Sequence, residues 1–327
     1  MADVAQLAGV SASTVSRALR NPGMVSPELR VRIDAAIERL AYVPNLMAGG
    51  LAAARTRTVG VIVPSLINSF FATTIEAMAA AFEPHGYQIM LGNSGYSLDR
   101  EEALLASFLS WSPSAIVLTG RHHSRGTLKR LAACDVPVVE MWELGEQAFD
   151  TAVGFSHRAV GQAAAHHLYQ RGNKKIAFVG AALEIDRRAS ERRAGFLDAV
   201  RAAGRHEPIG HAIAERAGVE VGGAALAALL DSHPDVDGIF FSNDALMLGA
   251  LFECQRRKIA VPGALGLIGF GDLDFTACAM PTLTTIRPPR SEIGDAVAQH
   301  LLRRFANPAS AGETIDLGFE LVEREST

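Results

Sequence analysis

Over the first forty residues the apolar positions recur at helical spacing. In DVAQLAGV, Val4, Ala5, Leu7 and Ala8 form one face, and Gly9 can take the left-handed conformation that ends a helix. Val10 enters a tight turn and Ser11 is a good N-cap for a second helix, in which Val15, Ala18 and Leu19 share a buried face. Ala12, Ser13, Ser16 and Arg17 lie on the other side of that helix. Ser26-Pro27-Glu28 supplies a cap, a proline at the first helical position and an acid near the positive helix end, so a third helix is predicted to about Leu40. Its inward positions are Val31, Ile33, Ala36, Ile37 and Leu40. Two short helices joined by a tight glycine turn, with a third packed on them, suit a helix-turn-helix. They also suit any small three-helix bundle.

From residue 58 the period changes. Apolar runs at 58–65, 87–94, 114–120, 137–142, 151–156, 175–181, 238–244 and 265–272 alternate with helical stretches, one starting near Phe70 and one ending near Leu109. Strands buried on both faces and separated by helices predict an α/β fold with parallel, doubly wound sheets. There are too many strands for one such unit, so two similar subdomains with a cleft between them fit best.

Charge sharpens this division. Of 327 residues, 49% are hydrophobic and 20% charged, with a net charge of −4, as for a soluble globular chain. Residues 1–57 carry seven arginines, no lysine and four acids, a net +3, leaving −7 for the remainder. A basic head on an acidic body places any DNA contact in the head. The three cysteines, Cys134, Cys254 and Cys278, show neither zinc spacing nor a disulfide framework, and there is no secretory leader or membrane-length apolar run. A cytoplasmic protein is expected. Enzyme chemistry finds little support. GFGD at Gly269–Asp272 lacks the third glycine of a dinucleotide fingerprint, and no P-loop, nucleophile elbow or HExxH occurs. The pairs His122-His123 and His166-His167 point apart on any regular element, so neither a metal nor a cofactor is expected, and the chain is read as no enzyme.

DVAQLAGVSASTVSRALRN and VSPELRVRIDAAIERLAYVPN together resemble the N-terminal signature of LacI/GalR-family transcriptional regulators, above all in AGVS, TVSR and the YxPN at Tyr42–Asn45. The resemblance implies a helix-turn-helix head over residues 1–43, a hinge over 44–57 and an effector-binding and dimerisation domain over 58–327. It places operator-reading positions on Ala12, Ser13 and Arg17, of which Arg17 can bond guanine bidentately. Ser16, Arg20 and Asn45 then look like phosphate contacts, and Leu51 an apolar wedge for the minor groove at the dyad. Gly49 and Gly50 each cost about 1 kcal/mol in a helix, so the hinge is expected to order only on DNA. Relatives carry several residues ahead of the DVA stretch. Either Asp3 caps the first helix, or the true start lies upstream of Met1.

The body resembles the periplasmic-binding-protein-like effector domain of the same family, through FSHRAVGQAAAHHLYQRGNKKIAFVG, FFSNDALMLGAL, IGFGD and PTLTTIRPP. This implies an N-subdomain of about 58–155 and 287–315 and a C-subdomain of about 156–286 and 316–327. Effector positions fall on Asn68, Phe70, Phe71, Trp142, Phe155, Arg192 and Asn243, at the carboxyl ends of strands. Two positions depart from sugar-binding members: Gly271 stands where an acid is usual, with Asp272 one place later, and Trp142 replaces another acid, with Glu140 two residues earlier. LTGRHH, VPVVEMWE, DTAVGF, FECQR and DLGF resemble the gluconate-operon repressor branch, whose pattern after the third strand falls on Thr119, Arg121 and His123. Fewer acids, with Arg121 added to Arg192, suit an anion of the sugar-acid class. The expected protein is a homodimeric repressor on palindromic operator DNA, released by its effector. A corepressor-dependent regulator, or one answering to a sugar or another metabolite, is the alternative. No leucine heptads follow Glu323, so the dimer is the default.

Overall fold

Local capping chemistry starts and stops each of the first three helices. α1 (Ala2–Ala8) ends at Gly9, whose φ of 66° lets the Val10 N–H reach back 2.9 Å to the Ala5 carbonyl. α2 (Ala12–Arg20) begins where Ser11 Oγ accepts from the Thr14 N–H at 3.2 Å, and α3 (Pro27–Arg39) where Ser26 Oγ accepts from Leu29. Asp3 falls inside the first turn of α1, and Met1 holds the cap position without a side-chain bond, so Asp3 is not the cap. Val4, Ala5, Ala8, Val15, Ala18, Ile33 and Ala36 close a small core. Leu7, Val31 and Leu40 are exposed, contrary to the inward reading. Val31 lies two residues from Ile33, nearly opposite it on the helix.

The computed structural model describes residues 1–43, 56–66, 69–145 and 148–327, and it divides into two compact units, Met1–Thr56 and Arg57–Thr327. The larger unit holds two six-stranded sheets. In the first, β1 (Thr58–Val63), β2 (Gln88–Asn93), β3 (Ala115–Thr119), β4 (Val138–Met141), β5 (Thr151–Gly154) and β11 (Thr314–Asp316) are all parallel, in the order 2-1-3-4-5-11. In the second, β6 (Ile176–Ala181), β7 (Ile209–Ile213), β8 (Gly238–Phe241), β9 (Gly266–Phe270) and β10 (Thr284–Arg287) repeat that order as 7-6-8-9-10, and β12 (Glu320–Val322) adds antiparallel to β10. The chain leaves the first sheet after β5, returns to it after β10 and leaves again after β11. It is an α/β protein with an all-α head.

Helices on the two faces bury the strands. α4 (Ser69–Phe82) and α11 (Arg290–Ala306) pack together on the first sheet, whose other side takes α5 (Leu98–Ser110) and α6 (Arg125–Ala133). On the second sheet α7 (His157–Gln170) lies against α8 (Arg187–Ala203), and α9 (Val219–Ser232) against α10 (Asp244–Arg257). The α7–α8 crossing depends on two glycines. A β-carbon at Gly161 would overlap the Arg192 carbonyl, and one at Gly195 the Arg158 carbonyl. Backbone touches backbone there, which fixes α8 against the start of α7.

Candidate functional site

On the head, Ala12, Ser13 and Arg17 are exposed along one side of α2, with Ser16 half-buried beside them and Val15 and Ala18 turned into the core. Ser13 Oγ lies 2.8 Å from Ser11 Oγ, so its hydroxyl shares the cap of its own helix. Of the other positions assigned to DNA, Asn45 and Leu51 lie outside the described residues; Arg20 ends α2.

In the larger unit, a cavity of about 150 Å³ opens at the carboxyl ends of the strands of both sheets. Phe70 and Phe71 reach it from the start of α4, Trp142 from the end of β4, Arg188 and Arg192 from α8, Asn243 from the end of β8 and Phe270 from β9. Aromatic rings make its floor. Trp142 meets Phe71 edge-on at 5.2 Å between centroids and Phe70 at 6.3 Å, and Phe70 meets Phe270 at 6.2 Å. Phe70 fits because residue 271 has no side chain: a β-carbon on Gly271, whose φ is 135°, would run into the Phe70 ring.

Arg192 is the charge at the centre. It is 4% exposed, its Cζ sits 4.0 Å from the centroid of Phe270, and its Nη2 donates to the Ser242 carbonyl at 2.9 Å. Its Nη1 lies 2.9 Å from His157 Nδ1. Among the described residues no carboxylate pairs with it, and its Nε meets no acceptor, nor does Trp142 Nε1. Burial lowers its pKa to about 10, with the Arg188 charge adding to that and Asp186 opposing it. Arg188 lies over the rings of Phe71, at 5.6 Å, and Tyr96, at 5.9 Å. Burial, then Asp186, raises the Tyr96 pKa. Two guanidiniums over an aromatic floor suit a small anion with hydroxyls.

Asn243 caps α10, its Oδ1 accepting from the Leu246 N–H at 3.0 Å, so its amide nitrogen is the group left to face the cavity. A second cavity of about 190 Å³ shares Tyr96, Ile185 and Arg188 with the first. Thr119 and Arg121 line this one, with Glu143 between Arg121 and Arg188. Burial pushes the Glu143 pKa up.

Four of the sequence-assigned positions line neither cavity. His123 is clamped between Glu101, at 2.7 Å, and Glu140, at 3.3 Å, and Glu140 also accepts from the Phe149 N–H. Burial alone would lower the His123 pKa, but the two glutamates outweigh it and raise it to about 9. Phe155 is fully buried under Trp142, His157 and Phe270. Asp272 accepts from Arg287 and Arg324, at 2.6 and 2.7 Å, which stitches it into the second sheet. Asn68 lies outside the described residues. Sequence reasoning missed Tyr96, Arg188, His157 and Arg216. Arg188 stands one helical turn before Arg192, a spacing that could have revealed it.

Residues 1–45 match the family model for bacterial regulatory proteins of the lacI family, and residues 165–327 match that for the periplasmic binding protein-like domain. The chain is 40% identical over 326 residues to the HTH-type transcriptional regulator GntR of Pseudomonas aeruginosa, covering 99% of this chain and 94% of that one. A LacI-family transcriptional regulator from Silicibacter pomeroyi superposes with a TM-score of 0.93 at 33% identity, over 99% of this chain and 98% of that one. The transcription regulator GntR from Chromobacterium violaceum superposes with a TM-score of 0.77 at 36% identity, over 82% and 98%.

Proposed function

The chain belongs to the lacI family of bacterial regulatory proteins and is a transcriptional regulator; from that premise we propose that it is a homodimeric repressor whose cleft binds a sugar acid, without turning it over, and so releases operator DNA. The observation that carries the ligand class is Arg192, a buried cation with no carboxylate partner among the described residues and an unbonded Nε. A buried charge needs a counter-charge or strong hydrogen bonds. A carboxylate supplies both, and Arg188 adds a second cation on the same wall. The resemblance of residues 118–123 and of the strand ends to the gluconate-operon branch supports the same class.

On this reading Arg17 reads a base in each half-site, Ala12 and Ser13 sit against the groove, and Ser16, Arg20 and Asn45 hold phosphates. Two heads on one dimer require a palindrome. Leu51 is the wedge at its centre, and effector acts by separating the two hinges. The linkage is reciprocal, so operator must weaken effector binding by the same factor. A thermal-shift screen of sugar acids against neutral sugars, followed by operator titration with the hits, tests this. Acids should raise the melting temperature and weaken DNA binding. If neutral sugars bind and acids do not, the ligand class is wrong. If an acid tightens DNA binding, the protein is a corepressor-dependent regulator instead.

A further inference from the structure

We propose that His157 is the positioning residue of this cleft: its Nδ1 lone pair holds the Arg192 guanidinium, while its Nε2–H holds the backbone of the opposite wall at Trp142. The inference rests on the reading that Arg192 meets an anionic effector. His157 is the first residue of α7, directly after the chain crosses from the first sheet to the second. Its Nε2 lies 2.9 Å from the Trp142 carbonyl oxygen, and its Nδ1 2.9 Å from Arg192 Nη1. A carbonyl can only accept and a guanidinium can only donate. The two contacts together therefore define one state of the ring, neutral, with the proton on Nε2. A second proton would point at a cation. Burial, then the charges of Arg192 and Arg188, hold the imidazole pKa well below its ordinary value, against the Trp142 carbonyl, which favours the charged form.

Three further features are built around this bridge. Trp142 takes a φ of 72°, a left-handed conformation that a bulky side chain adopts only under constraint. Gly154 leaves room for that turn, since a β-carbon there would stand 2.6 Å from the Glu143 nitrogen and 2.9 Å from the Trp142 carbonyl carbon. Phe155 packs on the imidazole at 4.6 Å and fixes its plane. The ring thus joins a wall of the first sheet, Trp142 with Phe70 and Phe71 on it, to the cation of the second. An anion drawing on Arg192 pulls on Trp142 through His157.

The two halves of the bridge can be separated. In H157N the amide oxygen can replace Nδ1 and accept from Arg192 but no donor reaches Trp142; in H157Q the amide nitrogen can replace Nε2 and the acceptor is lost. With D-gluconate as probe, calorimetry should find H157Q weakened about ten- to a hundredfold, the effect of a lost charge-assisted hydrogen bond. H157N should bind within about threefold of wild type on the same scale, but its operator release by gluconate should fall toward none, measured on a palindrome selected with the wild-type protein. Equal gluconate affinity and equal release in both variants would overturn the proposal. A readout that needs no effector is the ring 15N spectrum of the wild-type chain, with the His157 signal identified by its loss in H157Q. It should show the Nε2–H form, unchanged down to pH 5, and should move in R192M. A charged ring at pH 7, the Nδ1–H form, or no response to R192M would refute the bridge, even if gluconate proves not to be the effector. Failure of wild type to bind any sugar acid, with the ring signature intact, would instead count against the ligand class alone.

Discussion

Arg192→Met separates a cation kept for a ligand from a cation kept for the fold. Burial lowers the Arg192 pKa to about 10. At 1.36 kcal/mol per pKa unit, holding the charged form in place costs about 3 kcal/mol. Methionine removes that cost and can keep a sulfur contact with the Phe270 ring, on which the guanidinium now lies at 4.0 Å. Against this, His157 Nδ1 and the Ser242 carbonyl lose their donors, at about 1–2 kcal/mol each. The terms nearly cancel, so the ligand-free variant should unfold within about 1–2 kcal/mol of wild type. Breaking a true buried ion pair would cost about 3–5 kcal/mol. Effector at a hundred times its Kd stabilises the wild type by about 2.7 kcal/mol, a rise of about 5–10 °C for a domain of this size. In R192M that rise should vanish. Denaturant unfolding and thermal shift, with and without D-gluconate, give both numbers. A variant destabilised by several kcal/mol, or one still shifted by the acid, would refute the reasoning.

Gly195→Ala should force α7 and α8 apart where backbone meets backbone; overpacking of this kind costs about 1–3 kcal/mol or more, and a melting temperature equal to wild type would show the crossing to be slack. His123→Gln tests the Glu101–His123–Glu140 cluster. The folded pKa of about 9 stands above the unfolded value, so the cluster's contribution is full below about pH 6.5 and lost as pH rises through 9. It amounts to at most about 3 kcal/mol; the fall in wild-type stability between pH 6.5 and 9 should flatten in H123Q, and an unchanged slope would assign it elsewhere. Arg17→Ala should cost about 1–3 kcal/mol of operator affinity and relax selection at one base pair per half-site, whereas equal loss on all sequences in a binding-selection assay would make Arg17 a phosphate contact.

Apolar strands were the most legible part of the fold, because β1, β3, β4, β6, β8 and β9 are buried on both faces and so appear as mainly hydrophobic runs, with Glu140 of β4 the charged exception. The edge strand β7 did not stand out. IGHAI alternates between buried and open positions and carries a glycine and a histidine. β11 and β12, three residues each, are set by pairing with distant strands and hold too little local pattern to announce themselves. The same contrast holds at the cleft. Phe70, Phe71, Trp142, Arg192 and Asn243 were assigned from separate motifs and line one cavity. His123 follows Thr119 and Arg121 at alternate positions from the end of β3, yet its ring turns to a glutamate of α5. That partner, 22 residues away in the chain, outbids any open cavity for a histidine, and no local spacing reveals it. His157 was invisible for a related reason: its role depends on a carbonyl and a guanidinium that only the tertiary fold brings to its two nitrogens.

The proposal of an anionic effector rests as much on where acids are withdrawn as on where arginines stand. Gly271 places no carboxylate at the end of β9, and Phe70 fills the space. Asp272, one residue on, spends both oxygens on Arg287 and Arg324. Asp244 is fully buried just beneath, bonded to the Thr285 hydroxyl at 2.6 Å and the Leu273 N–H at 2.9 Å, and burial raises its pKa to about 6. Glu140 is held by His123 and the Phe149 N–H. Asp186, the acid lining the cavity among the described residues, caps α8 through the Ala189 N–H, and its charge acts on Arg192 without an ion pair. None of these carboxylates is ion-paired with Arg192 or Arg188, so both guanidiniums keep donors free to meet an anion. Restoring an acid by Gly271→Asp would have to expel Phe70 before it could grip a sugar hydroxyl, so the aromatic floor and the proposed anionic effector stand or fall together.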